Sequence, residues 1–183
     1  MSEADRGLIL IKLARDAIAE CFGAPQRPCP QESWLEEPGA TFVTLTENGR
    51  LRGCIGSLQA DRPLLTDVRA NAVAAAFRDY RFDPLREEEF SNTQVEVSLL
   101  SPARPLVFDS EKAALAQLRP GVDGVIFEYG RHRSTFLPQV WEKLPTPGAF
   151  MARLKYKAGL PVDFWSPDVK LARYTVQDWM EMT

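Results

Sequence analysis

The dipeptide Asn48-Gly49, set between TFVTLT (41–46) and RLRGCIG (50–56), constrains the fold more than any other feature. Asn-Gly suits a two-residue turn whose central residues both take positive φ, so the flanking runs fold back as an antiparallel hairpin over 41–56. A second hairpin is predicted in GVIFEYGRHRSTFLP (124–138), with its turn at 130–132. TQVEVSLL (93–100) alternates, placing Val95, Val97 and Leu99 on one face and Gln94, Glu96 and Ser98 on the other. VKLARYTV (169–176) reads as a last strand and QDWMEM (177–182) as a fraying end.

The segments between these strands carry helical spacing. DRGLILIKLARDAIAECF (5–22) repeats apolar side chains at Leu8, Ile11, Ala14, Ile18 and Phe22 and stops at Gly23. Cys21 falls near the end of that stripe and is expected to be a small core residue. Residues 23–40 hold Pro25, Pro28, Pro30 and Pro38 and form an extended connector, with Cys29 exposed. Pro63 opens a helix through 63–80 with Asp61 as a plausible cap. Shorter helices are predicted over 110–118 and from Thr146-Pro147 to Gly159. Phe136, Trp141, Phe150 and Leu154 have core spacing. Helices and hairpins follow one another without regular strand–helix alternation, which predicts an α+β fold of antiparallel sheets with packed helices.

At 183 residues the chain suits one domain, or two small lobes sharing a core. Its net charge of -3 provides no basic field for nucleic acid or anionic lipid. No apolar run approaches the roughly 20 residues of a membrane span. MSEADRG carries acids where a secretory signal would carry a basic region, so a cytoplasmic protein is expected. The one histidine, His132, rules out a two-histidine metal site, a zinc finger or an H-E-x-x-H centre built from this chain alone. The cysteines Cys21, Cys29 and Cys54 form no C-x-x-C pair and no radical-cluster run. Neither a metal nor a cofactor is expected.

LRGCIGS (51–57) raises the functional question. Strand alternation puts Arg52 and Cys54 on one face, about 7 Å apart at Cα. A guanidinium over a thiol favours the reactive thiolate. Gly53 and Gly56 leave bare backbone that a ligand or another chain segment could approach. Cysteine is also among the most buried residue types, and strand glycines often mark bulges, so composition and spacing alone favour packing over a reactive site. Asn71, mid-helix among alanines, faces either solvent or a buried hydrogen-bond partner. Glu96 is a solvated strand carboxylate, or a partner for Arg52. Glu128 and Arg133 flank the second turn and can pair across it.

LRGCIGSL, NAVAAAFRDYRFDPL, VEVSLLSP, GVDGVIFEYGRHRSTFLPQVW and KAGLP, in that order, resemble the AMMECR domain family, and within it the bacterial branch called AmmeMemoRadiSam system protein A. The resemblance spans about Leu8 to Tyr174. It implies a single AMMECR-type domain over 1–183, with two lobes of antiparallel sheet, packed helices and a cleft near the signature strand. It further implies a Memo-type protein and a radical SAM protein as partners, and no firmly assigned reaction. The ligand-binding positions it suggests are Arg52, Gly53, Ile55, Gly56, Asn71, Arg81 and Glu96, with Cys54 as the catalytic candidate. Tyr80 departs from the family pattern, standing where proline is common, and puts the local turn in question. Two functions follow. One is a binding or accessory component that holds a small anionic ligand. The other is an enzyme using Cys54 as a nucleophile or acyl carrier activated by Arg52.

Overall fold

The structure, a computed structural model, describes residues 2–182. It is α+β, with two four-stranded antiparallel sheets in two compact units. The first unit comprises residues 2–100 and 177–182, the second 101–176.

In the first unit, α1 (Glu3–Cys21) starts at a capping box. Ser2 Oγ accepts from Asp5 N–H while the Asp5 carboxylate accepts from Ser2 N–H, satisfying two orphan groups at once. Leu10, Leu13, Ala14, Ala17 and Ile18 form its buried stripe. Cys21 is the last residue of the helix and lies outside that buried stripe, while the cap residue Phe22 packs against Phe77 and Phe90 at ring distances of 5.5 and 5.7 Å. Cys21 is therefore exposed, contrary to expectation. Cys29 also departs from expectation: it is half-buried against the core. The connector is not wholly extended either, because α2 (Ser33–Glu36) forms within it and buries Leu35.

Strands β1 (Ala40–Glu47) and β2 (Arg50–Gly56) form the predicted hairpin, with Asn48 at φ 51° and Gly49 at φ 73°. α3 (Leu64–Phe77) follows, but Asp61 does not cap it. The Leu64 N–H donates instead to Glu37 C=O at 2.9 Å. Residues 79–86 lead to α4 (Glu87–Phe90) and then β3 (Thr93–Leu100). Val43, Leu45, Val95 and Val97 are fully buried on the face of the sheet packed by α1 and α3. Burying each such side chain stabilises by about 1.5–3 kcal/mol.

In the second unit, β4 (Arg104–Pro105), α5 (Glu111–Ala116), β5 (Gly124–Tyr129), β6 (His132–Phe136), a 3-10 turn, α6 (Pro147–Lys157) and β7 (Lys170–Tyr174) follow in chain order. Ser110 and Thr146 cap α5 and α6, donors to their hydroxyls being Ala113 N–H and Ala149 N–H. The sheet runs β4-β7-β5-β6, and its core stacks Trp141 on Phe150 at 3.8 Å. Buried Asp123 is held by two bonds from the Arg119 guanidinium, and Lys155, buried, by Glu111 and the face of Trp165.

The segment expected to fray forms β8 (Val176–Met180), which completes the first sheet in the order β2-β1-β3-β8. Two contacts fix it. The Trp179 ring covers Gly7 of α1 so closely that a Cβ there would meet it at 2.2 Å. Glu181 accepts from Arg15 at 2.7 Å and from Val95 N–H at 3.3 Å. Among the described residues, no helix is long and apolar enough to cross a membrane.

Candidate functional site

A single irregularity in the hairpin sets the geometry around Cys54. Glu47 pairs with Arg50 and Thr46 with Leu51, but Leu45 pairs with Gly53, so Arg52 is an extra residue on β2. Such a bulge breaks alternation locally. Beyond it Cys54 lies opposite Thr44, and Thr44 in turn lies opposite Glu96 of β3. Cys54, Thr44 and Glu96 therefore form one row on the face turned away from α1 and α3. Two strand spacings, about 10 Å, separate the first from the last.

Cys54 is half-buried, and the Thr44 hydroxyl donates to its sulfur at 3.3 Å. Among the described residues, no histidine or carboxylate hydrogen-bonds this thiol. His132 lies in the second unit, its Nδ1 on Ala158 C=O at 2.8 Å. Burial raises the Glu96 carboxyl above its ordinary value, and the negative charge of Asp178 adds to the effect. Glu96 thus keeps its proton to a higher pH than an ordinary carboxyl.

β2 is an edge strand, and at Cys54 side chains stand in for the missing neighbour. The Asp79 carboxylate accepts the Cys54 N–H at 2.9 Å, and the Arg81 guanidinium donates to the Cys54 carbonyl at 3.2 Å. Arg81 also grips Asp79 with bonds of 2.9 and 2.6 Å. This holds the Asp79 carboxyl well below the usual carboxylate range. Tyr80, at the tip of the turn, is 95% exposed, and the turn closes through Phe82 N–H on Asp79 C=O at 3.0 Å. Tyrosine in place of proline leaves the turn intact.

Arg52 does not lean over the thiol. Its guanidinium donates to Asp83 C=O at 2.9 Å, Pro84 C=O at 3.4 Å and Glu89 at 3.0 Å. Glu89, not Glu96, is its carboxylate partner, and Arg52 with the Arg86 backbone lowers the Glu89 carboxyl from 4.5 to about 2. The cation beside Cys54 is Arg81, whose side chain is 44% exposed. The two signature glycines admit this chain's own atoms. A Cβ on Gly53 would meet the Ala75 carbonyl oxygen of α3 at 2.1 Å, and one on Gly56 the Phe42 ring at 2.2 Å. Ile55 pairs with Val43 and packs toward the core.

Asn71 takes the buried alternative. Its Nδ2 donates to Thr41 C=O, Ser57 Oγ and Asp67, each at 3.0 Å. Fully buried Asp67 also accepts from Thr41 N–H at 2.8 Å, Thr41 Oγ1 at 2.7 Å, Ser57 Oγ at 2.6 Å and Arg62 Nε at 2.8 Å. This network ties α3 to the start of β1 and the end of β2. Of the sequence-predicted residues, the structure brings Cys54, Arg81 and Glu96 to one region of the sheet. Arg52 holds the 83–89 segment, and Asn71, Ile55, Gly53 and Gly56 serve packing. Thr44, Asp79 and Glu89 escaped the sequence reading. The Asp-x-Arg spacing of DYR was the available sign for Asp79; Thr44 and Glu89 depend on the bulge and offered none. Among the described residues, no cluster of three or more His, Cys, Asp or Glu could hold a metal ion.

The clamp predicts acid lability. Asp79 and Glu89 have depressed folded-state pKa values, so their contribution is complete above the ordinary carboxylate range and is lost as pH falls, for Glu89 from about 4.5 toward 2. Hydrogen-exchange protection of the Cys54 amide is expected to persist at pH 3, where the Asp79 carboxylate is still ionised, and to be low already at neutral pH in Asp79→Asn. A Cys54 amide as well protected in Asp79→Asn as in the parent chain at pH 7 would contradict the clamp.

A family model described as AMMECR1 matches residues 11–179. The chain belongs to the AMMECR1 family. A protein of Methanothermobacter thermautotrophicus is 37% identical over 97% of this chain and 95% of the relative. One from Methanocaldococcus jannaschii is 38% identical over 97% and 91%. The crystal structure of an uncharacterized Pyrococcus horikoshii protein superposes with a TM-score of 0.83 at 33% identity, covering 98% of this chain and 93% of that one. The AMMECR1 relatives named here are archaeal, and the fold is shared along almost the full length.

Proposed function

We infer that this AMMECR1-family chain is a small-ligand-binding or accessory component acting with Memo-type and radical SAM proteins. The partners come from the family resemblance alone. The ligand reading is carried by the row of Cys54, Thr44 and Glu96 beside the exposed Arg81 guanidinium. Thiol, hydroxyl and a cation suit a small anionic molecule with polar substituents. Among the described residues, nothing that hydrogen-bonds the sulfur acts as a base, which an enzyme using Cys54 as nucleophile needs.

The test uses Cys21→Ser/Cys29→Ala, leaving Cys54 as the one thiol. Co-elution with the Memo-type or the radical SAM protein is expected, with iodoacetamide alkylation of Cys54 slowed about tenfold in the complex. No co-elution and unchanged alkylation would sink the reading. Stoichiometric acylation of Cys54 in the free chain by a thioester would establish the enzyme reading in its place.

A further inference from the structure

A groove of about 520 Å³ lies in the second unit, floored by the face of its sheet turned away from α5 and α6. That volume is in the range of small-molecule sites. The floor is Ile126 opposite Ala172, and one wall is the 103–108 segment, which presents Pro105 and Val107. The wall is anchored: Pro105 pairs with Ala172, Leu106 N–H donates to Leu171 C=O at 2.8 Å, and the Phe108 ring lies 5.7 Å from Trp165. A preformed apolar trough results.

One side of the trough is charged. Lys170, Glu128 and Arg133 sit directly opposite one another across β7, β5 and β6. Glu128 pairs with Arg133 at 2.9 Å. The exposed Lys170 ammonium makes no salt bridge among the described residues and stands at the rim of the apolar floor. A cation at the rim of an apolar trough complements a molecule with one anionic end and one apolar body.

We propose that this groove binds a small monocarboxylate with a compact apolar body, its carboxylate on Lys170 and its body over Ile126 and Ala172. The site does not depend on the Cys54 reading, and its failure leaves that reading standing. The experiment titrates the full isotopically labelled chain with hexanoate, hexylamine and hexanol, following amide shifts by NMR. Hexanoate is expected to give saturable shifts centred on residues 126, 170 and 172, with hexylamine at least tenfold weaker and hexanol between them. Lys170→Ala, an exposed substitution that keeps the fold, is expected to weaken hexanoate about tenfold, and Ala172→Leu to block it by filling the floor. Four results would each overturn the proposal: no saturable shift, shifts centred elsewhere, equal affinity for hexylamine, or unchanged affinity in Lys170→Ala.

Discussion

Replacing Asp67 by alanine is expected to cost about 4 kcal/mol of stability, the scale on which breaking a buried charge network destabilises a protein. The carboxylate is fully buried and accepts from Thr41 N–H, Thr41 Oγ1, Ser57 Oγ, Arg62 Nε and Asn71 Nδ2. Truncation strands at least the Thr41 N–H and leaves the Arg62 charge without its partner. Asp67→Asn keeps the volume but presents an amide to donors, and is expected to cost about 2 kcal/mol. Chemical denaturation gives the totals, and exchange of the Thr41 amide localises them. If Asp67→Ala cost under 1 kcal/mol with Thr41 protection retained, the network would not be what joins α3 to the sheet.

Gly53→Ala is expected to destabilise by about 3 kcal/mol, at the top of the usual range for overpacking. The obstacle is the Ala75 carbonyl oxygen, 2.1 Å from an ideal Cβ, and a helix carbonyl cannot rotate out of the way. Either α3 lifts from β2 or the bulge rearranges. Gly56→Ala provides the contrast. There the obstacle is the Phe42 ring at 2.2 Å, a side chain that can swing aside, so a cost of about 1 kcal/mol is expected. Thermal denaturation of the two variants side by side checks the ranking. Equal costs would mean that β2 and α3 are not held in backbone contact.

This steric account changes what the signature strand means. Its glycines let a helix and an aromatic ring close onto the strand, and small residues at Ala72, Ala75 and Ala76 of α3 make the approach possible from the other side. Arg52 and Arg81 act on the edge of the same strand. One holds the 83–89 segment and the other, with Asp79, occupies the open backbone of Cys54. Most of the distinctive residues thus build the support for one half-buried thiol and its row.

Local signals made much of the fold legible. The Asn48-Gly49 turn, the alternation at 93–100 and the Ser110 and Thr146 caps each act within a few residues, and each element formed where its signal lay. The 177–182 segment misled because its strand character is supplied by distant partners, Gly7 under Trp179 and Arg15 on Glu181. Cys21 misled because, at the last position of its helix, it falls outside the buried stripe, and Phe22 reaches the core instead.

From the linear chain alone came the α+β class, the two hairpins, the family and the candidate strand. The direction of Cys54 came only from the folded structure. A two-residue turn without a bulge pairs position 54 with Val43, which is fully buried, and would send the thiol into the core. One extra residue at Arg52 reverses that parity and pairs it with Thr44. The extra residue has its side chain taken by Asp83, Pro84 and Glu89, and the next has its Cα against Ala75 of α3. Those partners lie more than twenty residues along the chain, and the side-chain period of two in a strand turns a single-residue shift into a change of face.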